Sequence, residues 1–304
     1  MAAALGASVL FGISVPAAKH LLDRADPWLL AGLLYLGAGV GLGVYRLLRR
    51  RVPDAKRLHG ADWLWLGAAI VAGGVIAPVL LMTGLAARDA SEAGLLLSLE
   101  GVFTALIAWV VFREHVDARI ALGMAAIGAG ALTLAWPPGA IGRDPAVLIV
   151  AACLAWAADN NLTRQASGGD PVRIAALKGL VAGAVNVTIG LAHGARVPGA
   201  ATIAGAGVVG VLGYGMSLVL FIVALRHLGT ARASAYFSTA PFVSAIAAVA
   251  ALGEPVTARL GVAAALMAAG VALHASERHE HEHAHGDLTH AHPHYPDVGH
   301  RHRH

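Results

Sequence analysis

Ten apolar stretches recur along this chain, each close to the roughly 20 residues that an α-helix needs to cross a hydrocarbon layer about 30 Å thick. They fall at approximately 2–22, 28–48, 63–86, 90–112, 118–136, 146–165, 171–194, 200–225, 229–252 and 256–275. Composition agrees: 57% of the 304 residues are hydrophobic and 13% are charged, and the mean hydropathy is +0.67, outside the range of an ordinary soluble domain. Each stretch can close its own backbone hydrogen bonds, and the alternation of a membrane β-barrel is absent. The expectation is an all-α integral membrane protein with ten transmembrane helices. The N-terminal run has no basic residue ahead of it and carries Lys19 and His20 after its apolar part, so it reads as the first span and not as a signal peptide. Cys153 is the single cysteine, set in an apolar stretch, and reads as a buried, inert thiol.

Orientation follows from Lys and Arg, which accumulate in cytoplasmic loops. With the N-terminus inside, the inner loops hold Arg46, Arg49, Arg50, Arg51, Lys56, Arg57, Arg113, Arg119, Arg164, Arg173, Arg226 and Arg232. The outer loops hold Arg24, Arg88, Arg143, Arg196 and Arg259, one each. Both termini are therefore expected in the cytoplasm of a bacterial-type inner (plasma) membrane. The net charge of +4 reflects this topology. No basic stripe with interleaved aromatics points to nucleic acid.

An internal repeat is the second strong signal. A shift of 140 residues lays LLLSLEGVFTALIAWVVFREHVDARI, from Leu95, on AYFSTAPFVSAIAAVAALGEPVTARL, from Ala235. Ser98 then meets Ser238, Glu114 meets Glu254, Val116 meets Val256, Arg119 meets Arg259 and Gly130 meets Gly270. Asp26-Pro27 falls on Asp170-Pro171 at a shift of 144. Two halves of five spans result, and five is odd, so the second half must insert upside down relative to the first. Inverted repeats around a midplane site are a transporter architecture.

The first-span string LFGISVPAAKHLL, the junction VVFREHVDARIALGMAAIGAGALTL and its second copy AALGEPVTARLGVAAALMAAGVAL resemble the drug/metabolite transporter superfamily, in particular its EamA-type members. The resemblance covers about residues 1–275. It implies one five-helix repeat over 1–136 and a second over 143–275, with residues 276–304 as a separate tail. Arg113 and His115 depart from the pattern, which places glycine and a small or polar residue around that glutamate.

Ionisable groups inside hydrocarbon are costly and mark functional positions. Glu100 lies ten residues into the fourth span, roughly 15 Å deep, and is expected to be a proton-coupling or cation-binding carboxylate; a purely structural hydrogen bond is the alternative. Asp159 and Lys178 each lie roughly 10 Å from the inner ends of the sixth and seventh spans and can meet, as a structural ion pair or as part of a substrate site or gate. Asn160, Thr163 and Asn186 add polar groups nearby, for binding or for interhelical bonding. Lys19 and His20 read as snorkelling residues. Gly37, Gly39, Gly41 and Gly43 read as packing surface, equally able to serve a homodimer. No GxxxxGKS loop, nucleophile–base pair or fixed metal-ligand set occurs within the spans, so neither an enzyme nor an ATP-driven pump is expected, and no cofactor is required.

The tail after Ser276 carries His279, His281, His283, His285, His290, His292, His294, His300, His302 and His304. Imidazole is a common ligand for transition metals, so the tail is expected to be disordered, cytoplasmic and able to bind divalent Ni, Zn or Co. Taken together with the resemblance, these features imply a secondary exporter of a small organic metabolite or drug, working by alternating access. The alternatives are a transition-metal cation transporter and a membrane metal sensor that does not transport.

Overall fold

The computed structural model describes residues 1–48, 59–113, 118–135, 144–165, 170–228, 236–275, 279–285 and 288–294. Within them the chain forms ten helical spans. α1 is Ala2–Leu22, α2 Pro27–Leu48, α5 Ala118–Ala135, α6 Ala146–Gln165, α7 Pro171–Ala192, α9 Ala240–Leu252 and α10 Ala258–Ala275. α3 runs over Ala61–Ala86 with a π-helical stretch at Ile70–Ile76, and α4 consists of Ala90–Leu96 and Leu99–Phe112. α8 consists of Ala200–Val209, a π-helical stretch at Gly210–Met216, and Ser217–Leu228. Eight spans are long and apolar enough to cross a membrane, and α9 and α10 contribute shorter apolar helices. Leu64, Val110, Leu122 and Ile246 lie exposed on the outside of the bundle, which suits a surface facing lipid.

Two long helix pairs organise the bundle: α2 packs along α7, and α5 along α10. Glycine makes both approaches close. A Cβ on Gly39 would sit 2.5 Å from the Leu180 nitrogen, and one on Gly183 would sit 2.6 Å from the Leu36 nitrogen. Gly37 and Gly41 face α8, while Gly43 has open space beside it and packs nothing. Along α2 from Gly32 to Gly39 the facing residues of α7 fall from Val187 to Gly179, so the pair is antiparallel. Along α5, Gly123 and Ile127 face Gly270, whereas Gly130 faces Ala263 and Met267, which is antiparallel again. Because α2 and α7, and α5 and α10, hold equivalent places in the two halves, each pair is its own image under an inverting two-fold axis. The remaining contacts obey the same axis: α1 touches α8 and α9, as α6 touches α3 and α4.

The repeat also reproduces irregularities. The π-helical stretches Ile70–Ile76 and Gly210–Met216 are 140 residues apart. α4 is interrupted by a turn at Leu97–Ser98, and the chain turns at Ser238–Thr239 immediately before α9. Helix C-termini favour a left-handed residue, usually glycine. After α9 that residue is Gly253, with φ 68°, and after α4 it is Arg113, with φ 55°. The departure of Arg113 from the glycine pattern therefore leaves the backbone geometry intact and places a side chain where one is unfavourable. Arg113→Gly should raise thermal stability by about 1 kcal/mol, read as an upward shift of the melting temperature in detergent; a lower melting temperature would count against strain at this position.

One end of the bundle is tied together by polar contacts. The Glu254 carboxylate accepts from the backbone N–H groups of Ala90 and Ser91, 2.7 Å each, at the start of α4. Lys19 donates to the carbonyls of Leu85 and Ala86 at the end of α3, so it serves as a helix C-terminal cap and does not merely snorkel; His20 stays exposed. Arg88 bridges Glu92 and Asp144, 2.9 and 3.0 Å, and Arg259 donates to the carbonyls of Thr133 and Leu134. At the opposite end, among the described residues, Arg46 pairs with Asp170 at 3.2 Å.

In the tail, the described backbone of β1 (His279–His285) pairs antiparallel with that of β2 (Leu288–His294). The physical reason is the alternation of residue types at period two, the period of a β-strand. His300, His302 and His304 lie outside the described residues.

Candidate functional site

Among the described residues, two cavities between the halves bear on function. The first, about 180 Å³, is lined by equivalent positions of both repeats: Leu97, Ser98 and Gly101 of α4 face Phe237, Ser238 and Pro241 at the start of α9. Each of those three pairs is separated by 140 residues, so the cavity sits on the pseudo-two-fold axis, where the two local helix interruptions meet. The symmetry is broken by charge, since Glu100 lines the cavity and its counterpart is Ala240. At ten residues from the start of α4, Glu100 is roughly 15 Å deep, near the middle of the layer. Its Oε1 accepts from Asn160 Nδ2 at 2.9 Å. Asn160 also reaches Thr104 Oγ1 at 3.3 Å, and Thr104 donates to the Glu100 carbonyl. Among the described residues no cation lies within ion-pair distance of Glu100.

The second cavity, about 160 Å³, lies between α2, α6, α7 and α8. Asp159 and Lys178 form an ion pair on its wall, with Lys178 Nζ bound to both carboxylate oxygens and 2.6 Å from Oδ2. Thr163 donates to Asp159 Oδ1 at 2.8 Å and accepts from Lys178 at 3.2 Å. Their side chains are 8% and 17% exposed, so this pair exists in a largely desolvated setting. Gly73 of the α3 π-helical stretch makes room for it, because a Cβ there would overlap the Asp159 carboxylate. The equivalent glycine, Gly213, packs in the same way on Ser14 of α1. One half thus places a charged pair where the other places a hydroxyl.

A π-helical stretch leaves carbonyls without their usual helical partners. Here side chains supply them: Tyr35 and Trp156 donate to the Gly73 carbonyl at 2.8 and 2.9 Å, and Asn186 donates to that of Gly74 at 3.1 Å. Asn186 therefore braces α3. Of the residues expected from sequence, Asp159, Thr163 and Lys178 come together, Glu100 and Asn160 form a second group, and α6 carries members of both. Sequence reasoning passed over Asn161, which is buried and donates to the carbonyls of Thr104 and Ala157. It also passed over Tyr35, Trp156 and the aromatic residues between the cavities. Phe11 lines the first cavity and Tyr214 the second, and their rings meet edge to face at 5.9 Å. Phe237 extends this partition at 5.6 Å from Phe11, and Tyr35 at 5.9 Å from Tyr214.

The arrangement is an inverted-repeat bundle with a midplane cavity, and comparison with known proteins agrees with it. The model of the EamA-like transporter family matches residues 1–136 and again residues 145–276. The chain belongs to the EamA-like transporter family. An uncharacterized transporter of Methanothermobacter thermautotrophicus is 30% identical over 284 residues, covering 87% of this chain and 82% of that protein. The probable 4-amino-4-deoxy-L-arabinose-phosphoundecaprenol flippase subunit ArnE of Pseudomonas fluorescens is 32% identical over 106 residues, 35% of this chain but 90% of that protein. That relative thus matches over a length comparable to one repeat. A protein of known crystal structure superimposes with a TM-score of 0.64 at 19% identity, covering 88% of this chain and 94% of its own, a likeness of fold. The chain is a multi-pass membrane transporter of this family.

Proposed function

We propose that this EamA-like transporter exports a small organic solute by alternating access, using the cavity on the pseudo-two-fold axis as the solute site and Glu100 as the coupling carboxylate. The observation that carries this reading is the convergence of both helix interruptions on one midplane cavity in which, among the described residues, Glu100 is the single acid. Interrupted helices at a repeat interface supply the polar groups that a solute needs without opening the backbone to lipid. The Asp159–Lys178 pair, already neutralised, serves as a polar gate beside that site, and the Phe11–Tyr214 contact closes the passage between the cavities.

The conformation supports a direction of opening. Glu254, Lys19, Arg88 and Arg259 latch one end, while the ion-pair cavity extends towards the other along Leu42, Ala175 and Leu218. With the N-terminus cytoplasmic, as the Arg and Lys distribution argues, this is an inward-facing form with its outer gate closed. A metal ion as cargo is the weaker reading: among the described residues no group of three His, Cys, Asp or Glu converges in a metal-ligand arrangement.

The direct test is flux in proteoliposomes with the purified protein, a pH gradient and a panel of small organic amines, zwitterions and acids, alongside Ni and Zn. Gradient-driven movement of an organic solute is expected. Movement of metal alone would overturn the proposal. Reporters fused after residue 275 and near Gly139 should register cytoplasmic and periplasmic, respectively; the opposite pattern would make this form outward-facing.

A further inference from the structure

The side-chain polar atoms around the two cavities divide into those bonded within the protein and those left over. Lys178 has three N–H donors, and Asp159 Oδ1, Asp159 Oδ2 and Thr163 Oγ1 take all of them. Asn160 uses both hydrogens of its amide nitrogen on Glu100 Oε1 and Thr104 Oγ1. Tyr35 gives its hydroxyl proton to the Gly73 carbonyl. On the wall of the first cavity two side-chain oxygens remain without a hydrogen-bond partner among the described residues: Glu100 Oε2 and the buried Ser98 Oγ. The carboxylate oxygen is an acceptor only, and the hydroxyl can accept.

Much of that wall is apolar or aromatic. Phe11 and Phe237 line it with their rings 5.6 Å apart, and Val102, Ile127 and Val271 lie beside them. A desolvated carboxylate next to aromatic faces attracts positive charge, since the ring quadrupole adds to the Coulomb attraction. An anionic solute meets the reverse: Glu100 repels it, and the Lys178 donors that could hold it are taken. The aromatic wall continues into the second cavity through the Phe11–Tyr214 and Tyr214–Tyr35 contacts, both 5.9 Å, and there the acid is Asp159. We propose that the solute of the first cavity is a small protonated amine, with Glu100 Oε2 and Ser98 Oγ accepting from its N–H groups and Phe11 and Phe237 packing on its charge and its apolar body. The cavity of about 180 Å³ lies below the roughly 300 Å³ at which pockets for drug-sized ligands begin, so the amine is smaller than a drug. This assignment rests on the reading of the first cavity as the solute site, and it is independent of the direction of transport and of proton coupling.

The probes share one aryl body and differ in charge: phenethylamine, its N-trimethyl derivative, 3-phenylpropionate and phenylalanine. Binding to the purified full-length protein in detergent is measured by calorimetry at about pH 7.5, where an alkylamine is protonated. Phenethylamine should bind at least about tenfold more tightly than 3-phenylpropionate, which lacks the positive charge, and than the quaternary ion, which lacks N–H donors. Ser98→Ala should weaken phenethylamine roughly three- to tenfold and leave the quaternary ion unchanged, whereas Phe237→Leu should weaken both by a similar factor. Melting temperature confirms that each variant is folded, and the comparison among probes needs no variant at all. The acid or the zwitterion bound as tightly as the amine would overturn the charge assignment. A quaternary ion bound as tightly as the amine would overturn the acceptor role of Glu100 and Ser98, and no binding of any probe would overturn the site. Proteoliposome flux reads export separately. An amine that binds in this pattern and does not move would sink export and keep the site, while Glu100-dependent flux of an acid would keep export and sink the amine.

Discussion

Glu100→Gln is expected to leave the protein inserted and folded while lowering gradient-driven solute flux at least about tenfold. The amide keeps the volume of the side chain and can still accept from Asn160 Nδ2, which now bonds Glu100 Oε1 at 2.9 Å. What it loses is negative charge and the capacity to take up and release a proton. If Glu100 were only an interhelical hydrogen-bond acceptor, the amide would keep that bond, stability would change by no more than the roughly 0.6 kcal/mol typical of such bonds between membrane helices, and flux would change little. The measurement is initial-rate flux in proteoliposomes between pH 6 and 8, with melting temperature as the control for folding. Flux equal to that of the unmodified protein over this range would reduce Glu100 to a structural residue. Ser98→Ala serves as a companion variant on the same cavity wall. Its Oγ is buried without a partner among the described residues, so its removal should cost little stability.

The number of spans and their inverted pairing were readable because lipid imposes length and apolarity on each helix, and because Glu, Val and Arg recur at one register. The Asp159–Lys178 encounter was readable as well: equal depth on adjacent spans is a matter of counting residues at about 1.5 Å each. Irregularities inside helices were not. Nothing in the run Ile70–Ile76 distinguishes a π-helical stretch from ordinary helix, and Leu97–Ser98 contains neither Gly nor Pro. A helix rotates by about 100° per residue, so neighbouring Asn160 and Asn161 take different partners, and depth alone does not tell which of them is buried. Tyr35 and Trp156 resembled any other membrane aromatic until the free Gly73 carbonyl gave their polar atoms a purpose. One available signal was missed: Gly73 falls on Gly213 at the repeat shift, and both lie against α6 or its counterpart α1.

Removing one partner of the Asp159–Lys178 pair should be the most destabilising single change in the bundle. With side chains 8% and 17% exposed, neither charge has enough water to replace the other. Lys178→Met leaves Asp159 with only Thr163 as a hydrogen-bond donor among its present partners, and Asp159→Asn leaves Lys178 without a counter-charge. Each single variant should lose about 3–5 kcal/mol, whereas the double variant, which removes both charges, should recover to within about 1 kcal/mol of the unmodified protein. Thermal melting in detergent reads this cycle. Additive losses would mean that the two groups do not depend on each other and that the pair is incidental. Gly73→Ala probes the same spot from α3, because its methyl would displace the Asp159 carboxylate, and it should lie between the unmodified protein and the single variants. Flux then separates structure from gating. A double variant that melts normally and still transports would make the pair a packing device. One that melts normally and fails to transport would assign it to the gate, since the fold no longer needs the charges and the transport cycle still does.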